Sequence, residues 1–213
     1  MDASPHKLPA ELVGPAGRIE TLVDVPSGTP RAVAVIGHPH PQLGGTMRAR
    51  PVHEMAKALA RAGSVVVRFN FRGVGASQGA FDEGRGEMDD FRAVVEAAAA
   101  AYPDLPIWAA GYSFGAWIAM TCGAGDPRVR ALIGVGLPLE GYDYSLVAAS
   151  ATPKFLVHGE RDEVTSVQEI RRFYAGLAEP KELVEIDGAA HLFDGRTAEL
   201  GEAVEGLLAD FEE

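Results

Sequence analysis

The chain has 213 residues, of which 47% are hydrophobic and 23% are charged, and this composition predicts a single globular domain over residues 1–213. The formal net charge of −11 argues against a nucleic-acid partner, and no apolar run is long enough to predict a membrane partner. The lone cysteine, Cys122, excludes an internal disulfide framework; together with an N-terminus that lacks a signal-peptide pattern, it predicts a cytoplasmic protein with a buried thiol.

Short β-branched runs alternate with longer amphipathic segments along the chain. Seven runs are predicted as strands, at residues 18–25, 31–36, 64–71, 107–110, 131–136, 154–158 and 183–186. Most of them are apolar throughout, which is typical of strands buried on both faces of a parallel sheet. Apolar stripes at helical spacing predict helices around residues 52–59, 88–98, 167–177 and 197–211. The alternation predicts an α/β fold whose ligand site lies at the carboxyl ends of the strands.

Two G-x-S-x-G motifs occur, at residues 75–79 and 111–115, and their contexts differ. The second follows the strand 107–110 directly and leads into a helical segment, which is the strand–turn–helix context that presents a nucleophilic serine. Its glycines are required because a side chain two residues from the serine would collide with neighbouring backbone. A loop-like segment follows the first motif. We therefore predict Ser113 as a nucleophile and Ser77 as a turn residue.

A serine hydroxyl needs a base to accept its proton and a carboxylate behind that base. The segment after strand 154–158 contains Glu160, Asp162 and Glu163, and the segment after strand 183–186 contains His191. The chain order of serine, acid and histidine, each after a strand, is typical of nucleophilic catalysis on a parallel sheet. The residues alone thus predict Ser113 and His191 with one of three carboxylates.

Five blocks of sequence resemble the small lidless bacterial α/β-hydrolases related to dienelactone hydrolases. In chain order they are residues 38–47 (HPHPQLGGTM), 69–77 (FNFRGVGAS), 111–115 (GYSFG), 158–162 (HGERD) and 188–191 (GAAH). The resemblance implies an α/β-hydrolase fold with a mostly parallel sheet of about seven strands, helices on both faces and no cap domain. It also implies no cofactor, and Asp162 as the acid beside Ser113 and His191. Dienelactone hydrolases proper use a cysteine nucleophile, so their particular substrate does not carry over to this chain.

The resemblance also implies an oxyanion hole made of two backbone N–H groups. One belongs to Phe114, directly after the nucleophile, and the other to His40, because Pro39 has no N–H to donate. The segment 137–153 is too short for a cap, so we expect an open site. Apolar side chains near that site are predicted to line a shallow acyl pocket: Leu43, Phe114, Leu139, Tyr142 and Tyr144.

The remaining histidines and arginines have simpler interpretations. We expect His38 and His158 to be hydrogen-bonded residues at strand ends, and His6 and His53 to lie at the surface. No metal is predicted, since the histidines near residues 38–53 lack a second spaced set of ligands. Three arginines near the site either attract an acidic substrate or, as we favour, pair with local carboxylates: Arg48, Arg50 and Arg72.

The whole pattern predicts a serine hydrolase that cleaves a carboxylic ester, or a thioester, through an acyl-enzyme on Ser113. Its partner is then a small-molecule acyl ester. Two alternatives stay open: an amidase or peptidase that uses the same residues, and a non-catalytic binding protein of the same fold. The oligomeric state is not predicted.

Overall fold

The computed structural model describes residues 8–209 and 211, and its framework is one eight-stranded sheet. In chain order the strands are β1 (Glu11–Gly14), β2 (Gly17–Asp24), β3 (Ala32–Gly37), β4 (Ser64–Phe69), β5 (Ile107–Tyr112), β6 (Val129–Val135), β7 (Lys154–Gly159) and β8 (Lys181–Ile186). In space they lie in the order β1-β2-β4-β3-β5-β6-β7-β8. The pairs from β4 to β8 are all parallel, whereas β2 is antiparallel to both β1 and β4.

Helices cover both faces of this sheet. They are α1 (Arg50–Arg61), α2 (Arg85–Ala101), α3 (Phe114–Ala124), α4 (Ser145–Ala149), α5 (Val167–Gly176) and α6 (Thr197–Ala209). Successive side chains of a strand point to opposite faces, so Val33 and Val35 pack in the core under α2 and α3, whereas Ala34 and Ile36 pack in the core under α1 and α6. No helix in the described ranges is long and apolar enough to cross a membrane.

The predicted α/β-hydrolase fold is confirmed, with one strand more than the sequence indicated. The additional strand is β1, a four-residue strand that joins the edge of the sheet through a hairpin with β2. It alternates between exposed and half-buried residues and contains no continuous apolar run, which is why periodicity did not reveal it. Between β6 and β7 the chain forms only the five-residue helix α4, so no cap domain is inserted there in the part of the chain that the structure describes.

Helix α3 packs unusually close to the end of β3. A Cβ atom on Gly115 would overlap the carbonyl groups of Gly37 and His38, and one on Gly111 would overlap the carbonyl of Gly115. Glycine is therefore required at both motif positions to let the first turn of α3 lie against β3 and β5. This close approach determines where the residues at the start of α3 sit relative to the loop that follows β3.

We predict that Gly115→Ala destabilises the protein by about 2–3 kcal/mol, because α3 must move away from β3 to accommodate the methyl group. Gly125→Ala, at the other end of the same helix, is the matched control. Its added Cβ would meet nothing closer than the Cys122 carbonyl at 4.0 Å, so we expect a change of less than about 1 kcal/mol. Urea unfolding of both variants measures the difference, and equal stability of the two would contradict the packing account.

Candidate active site

Ser113 occupies a strained turn between β5 and α3. Its backbone has φ of 54° and ψ of −125°, a conformation that non-glycine residues rarely adopt. Hydrogen bonds hold it there: the Ser113 N–H donates to the Val135 carbonyl at 2.9 Å, and the Ser113 carbonyl accepts from the Ala116 N–H at 2.8 Å. The turn lifts the hydroxyl above the carboxyl edge of the sheet and places it at the N-terminus of α3.

The loop after β8 carries His191, and its backbone is fixed on both sides of that residue. The His191 N–H donates to Glu163 Oε2 at 3.0 Å, and the His191 carbonyl accepts from the Tyr112 hydroxyl at 2.8 Å. Burial raises the pKa of Tyr112, so its hydroxyl stays protonated and remains a donor. Glu160 supports the same loop by accepting the Gly188 N–H at 2.9 Å. The imidazole is thereby oriented before any substrate binds.

The imidazole of His191 bridges a carboxylate and the serine hydroxyl. Its Nδ1 lies 2.8 Å from Asp162 Oδ2 and its Nε2 lies 2.9 Å from Ser113 Oγ. The second oxygen of Asp162 accepts the N–H groups of Val164 and Thr165 at 2.9 and 3.0 Å. Burial alone would raise the pKa of Asp162, but the hydrogen bonds from His191 and Thr165 lower it below its ordinary value. Asp162 is thus ionised at neutral pH and holds the proton of His191 on Nδ1.

The three carboxylates of the segment 160–163 therefore have different partners. Asp162 contacts the imidazole, whereas Glu160 and Glu163 bind backbone N–H groups of the His191 loop. His158 lies beneath Asp162, fully buried, and its Nε2 is 2.8 Å from the Thr165 carbonyl. It is the hydrogen-bonded residue at a strand end that the sequence predicted.

Two cavities lie near the serine, and His40 forms part of the wall of both. The first has a volume of about 340 Å³ and includes Ser113 and His191 in its lining. Its remaining walls come from the loop after β3, the start of α1 and the residues after His191, and include Leu43, Arg50, Leu192 and Asp194. The second cavity has a volume of about 350 Å³ and is lined by aromatic rings and two acidic residues: Phe81, Phe114, Tyr142, Glu83 and Glu140. Both cavities fall at the lower end of the size range for ligand pockets.

Comparison with known proteins agrees with this architecture. Residues 28–147 match the family described as serine aminopeptidase, S33 (Hydrolase_4), which is more than half of the chain. The chain belongs to this family. Within it, the chain is similar to the uncharacterized protein RP471 of Rickettsia prowazekii (strain Madrid E), with 33% identity over 204 residues that cover 92% of this chain and 86% of RP471.

Two solved structures match this hydrolase over nearly its whole length. One is an α/β serine hydrolase homologue from Coxiella burnetii, with 39% identity, a TM-score of 0.87 and coverage of 92% of this chain and 94% of that one. The other is an α/β serine hydrolase without lid from Xanthomonas campestris, with 32% identity, a TM-score of 0.90 and coverage of 97% and 95%. The predicted resemblance to small lidless α/β-hydrolases is therefore confirmed.

The structure of this α/β serine hydrolase separates the five predicted pocket residues. Leu43 lines the first cavity and is 85% exposed, whereas Phe114 and Tyr142 line the second. Neither of these two cavities has Tyr144 or Leu139 in its lining. Tyr144 is only 6% exposed because its ring packs against Phe173, and Leu139 is partly buried and packs against the hydrophobic core. Both follow from the way the segment before α4 folds down onto α3 and α5, which no local pattern encodes.

Sequence reasoning missed several cavity residues. Leu192 directly follows His191, so its position in the sequence could have indicated that it lines the cavity. By contrast, Phe81, Glu83 and Glu140 lie in loops that only the three-dimensional structure brings next to Phe114.

The predicted arginines have different surroundings. Arg72 forms a two-pronged ion pair with the buried Asp90 at 2.8 and 3.0 Å, as the favoured interpretation expects. The positive charge of Arg48 helps to lower the pKa of Glu20, after the larger effect of a backbone hydrogen bond from Ala76. Arg50 lines the first cavity and has no ion pair with any residue that the structure describes.

The other polar residues that the sequence singled out are structural. The Ser77 hydroxyl donates to the Asn70 carbonyl at 2.6 Å and accepts the Glu20 N–H at 2.9 Å, which is the turn role predicted for it. Cys122 is 8% exposed, and burial raises the pKa of its thiol to about 12. His53 is exposed on α1, and His6 lies outside the described residues.

His38 is completely buried at the end of β3 and has both ring nitrogens engaged. Nε2 accepts the Phe71 N–H at 3.0 Å, so the proton of the neutral ring is on Nδ1, which donates to the Pro39 carbonyl at 2.6 Å. Burial lowers the pKa of His38 to about 4, although the bond to Pro39 acts in the opposite direction.

This depressed pKa predicts a pH-dependent stability. Above about pH 6.5, the ordinary histidine value, His38 is neutral in both the folded and unfolded chain. As the pH falls from about 6.5 towards 4, His38 binds a proton in the unfolded chain but not in the folded chain. The free energy of unfolding therefore declines by at most about 3 kcal/mol. Urea unfolding at pH 7, 5 and 4 should show a smaller decline for His38→Gln than for the wild type. An equal decline in stability for the variant and the wild type would contradict the attribution of this pH dependence to His38.

Proposed function

We propose that this hydrolase cleaves carboxylic esters, or thioesters, through an acyl-enzyme on Ser113. The observation that carries the proposal is the unbroken hydrogen-bond chain from Asp162 Oδ2 through both nitrogens of His191 to Ser113 Oγ, with distances of 2.8 and 2.9 Å. This series of hydrogen bonds ends at Ser113, in a cavity that a small substrate can enter. Nucleophile, base and orienting acid are thus within hydrogen-bond reach, as acyl transfer requires.

In the proposed reaction, Ser113 Oγ attacks the carbonyl carbon of the ester while His191 Nε2 takes the hydroxyl proton. The resulting imidazolium is stabilised by the ionised Asp162, which keeps the other proton on Nδ1. Collapse of the tetrahedral intermediate breaks the bond to the leaving alcohol or thiol, which receives the proton from Nε2. In the second half of the reaction, water attacks the acyl carbonyl while His191 Nε2 takes its proton. Collapse of this intermediate releases the carboxylic acid and returns the proton to Ser113 Oγ.

The negative oxygen of the tetrahedral intermediate needs hydrogen-bond donors. We assign this role to the backbone N–H groups of Phe114, at the first position of α3, and His40, in the loop after β3. A residue at the start of a helix has no carbonyl four positions earlier within that helix, so the Phe114 N–H is free to donate. Each such donor typically contributes about 3 kcal/mol to transition-state stabilisation.

The two cavities suggest how an ester is accommodated. Both cavities include His40 in their lining; Ser113 lines the first, and Phe114, the next residue, lines the second. An acyl group and a leaving group can therefore occupy one cavity each while the carbonyl lies at Ser113. Partial burial lowers the pKa of His40, so its imidazole, which lines both cavities, stays neutral at neutral pH. The small volumes favour short acyl esters over long-chain lipids.

Amide or peptide hydrolysis is the second candidate, and the family's description as serine aminopeptidase favours it. The chemistry of the acyl-enzyme would be the same, but the leaving amine depends more strongly on protonation by His191. Turnover of a p-nitrophenyl ester and of the p-nitroanilide with the same acyl group distinguishes the two. Rapid ester cleavage with negligible anilide cleavage supports an esterase, and the reverse supports an amidase.

We predict that Ser113→Ala abolishes ester turnover and labelling by a fluorophosphonate probe, because it removes the oxygen that forms the covalent bond in the proposed mechanism. Ser77→Ala is the matched control from the other G-x-S-x-G motif and should be labelled like the wild type. Circular dichroism and urea unfolding confirm that both variants are folded. A labelled Ser113→Ala variant would overturn the mechanism, and a wild-type chain without labelling or turnover would identify a binding protein.

We predict that Asp162→Asn lowers kcat by about 10⁴-fold, since an amide stabilises the wrong imidazole tautomer. Glu163→Gln keeps an acceptor oxygen for the His191 N–H and should lower kcat by less than about 10-fold. Steady-state kinetics at saturating ester measures both effects. A larger loss in Glu163→Gln than in Asp162→Asn would reassign the acid.

A further inference from the structure

We propose that His38 is a positioning residue for the oxyanion hole, and that it acts by holding the peptide unit between Pro39 and His40 in one orientation. The proposal rests on the function proposed above, in which the His40 N–H stabilises the negative oxygen. His38 itself is completely buried and lines neither cavity, so it acts through its neighbour and not on the substrate.

The imidazole is a rigid bridge between two strand ends. On one side, Nε2 accepts the N–H of Phe71, in the segment that follows β4, at 3.0 Å. On the other side, Nδ1 donates to the Pro39 carbonyl at 2.6 Å. The ring of Phe71 packs edge-on against the imidazole with centroids 4.7 Å apart, which prevents the ring from tilting. The position of the Pro39 carbonyl is therefore tied to the sheet through His38.

Planarity of the peptide bond transmits this restraint to His40. In a trans peptide the C=O and N–H bonds point in opposite directions, so fixing the Pro39 carbonyl also fixes the direction of the His40 N–H. The bond is trans, since the cis peptide bond in the described chain is Glu179–Pro180. Because Pro39 lacks an N–H, hydrogen bonds can restrain its backbone only through its carbonyl.

The other side of His40 is restrained as well. Its carbonyl accepts the N–H groups of Leu43 and Gly45 at 3.0 and 3.1 Å. Gly45 lies so close that a Cβ there would overlap the Pro39 carbonyl. With both flanking peptide units held, the His40 N–H has one direction available, and within the described residues it donates to no protein acceptor. Free donors of fixed direction are what stabilisation of an oxyanion requires.

The test compares two substitutions that each keep one half of the bridge. Asparagine has an NH₂ group near the place of Nδ1, so His38→Asn keeps the donor for the Pro39 carbonyl and loses the acceptor for Phe71. Glutamine has a carbonyl oxygen near the place of Nε2, so His38→Gln keeps the acceptor for Phe71 and loses the donor for Pro39. Both remove one buried hydrogen bond, and only His38→Gln releases the His40 peptide unit.

The measurements are kcat and KM for p-nitrophenyl acetate and for the corresponding thionoester, whose sulfur accepts hydrogen bonds weakly. For His38→Gln we expect kcat on the ester to fall roughly 30- to 100-fold with KM changed less than about threefold. The ester-to-thionoester rate ratio should fall about 10-fold, because the lost interaction is with the carbonyl oxygen. His38→Asn should partly rescue both quantities, with kcat at least about 10-fold above that of His38→Gln.

A stability control separates positioning from a general loss of packing. Ser64→Ala removes a buried hydrogen bond from the Ser64 hydroxyl to the Leu59 carbonyl, at the opposite end of β4. It should lower stability without changing the ester-to-thionoester ratio. Equal kcat losses in His38→Asn and His38→Gln, or an unchanged ratio in a folded His38→Gln, would overturn the positioning role. Turnover by Ser113→Ala would instead overturn the proposed function itself, so the two failures are distinguishable.

Discussion

The contact between the first turn of α3 and the end of β3 is the constraint on which the rest of the site depends. Two glycines permit it, since a Cβ at Gly115 would overlap carbonyl groups of β3 and one at Gly111 would overlap Gly115 itself. The contact forces Ser113 into a positive φ and brings the loop that begins at His38 next to the N-terminus of α3. Strain of this kind persists only because the surrounding sheet over-determines it.

In the loop that carries His191, acidic side chains provide the hydrogen bonds that regular secondary structure provides elsewhere. One short segment after β7 provides carboxylates to the imidazole of His191, to its backbone N–H and to the Gly188 N–H. Carboxylate acceptors make stronger hydrogen bonds than carbonyl groups, so a loop without a strand partner can be held nearly as firmly as a strand. Part of the chain's large negative charge thus has a local structural use.

Much of this architecture could be predicted because it follows from local patterns. Buried parallel strands have continuous apolar runs, and a nucleophilic serine between a strand and a helix needs glycines at fixed spacing; both signals were present around Ser113. The choice of Asp162 over its acidic neighbours depended on a resemblance, since three carboxylates lie within four residues and only their directions differ. The cavity walls do not follow from local patterns, because loops from distant parts of the chain form them. The Tyr144 ring, for example, is buried and packs against Phe173.

The small size of helix α4 has a consequence for the fate of an acyl-enzyme. Within the described chain, only the five-residue helix α4 lies between β6 and β7, so the proposed acyl group on Ser113 would have no cap domain over it. Sites that carry an acyl group to an alcohol or amine acceptor must keep competing water away from the intermediate. An uncovered serine has no such means of exclusion. In the mechanism proposed above, this openness would favour water as the acceptor in the second half of the reaction over an alcohol or amine less abundant than the solvent.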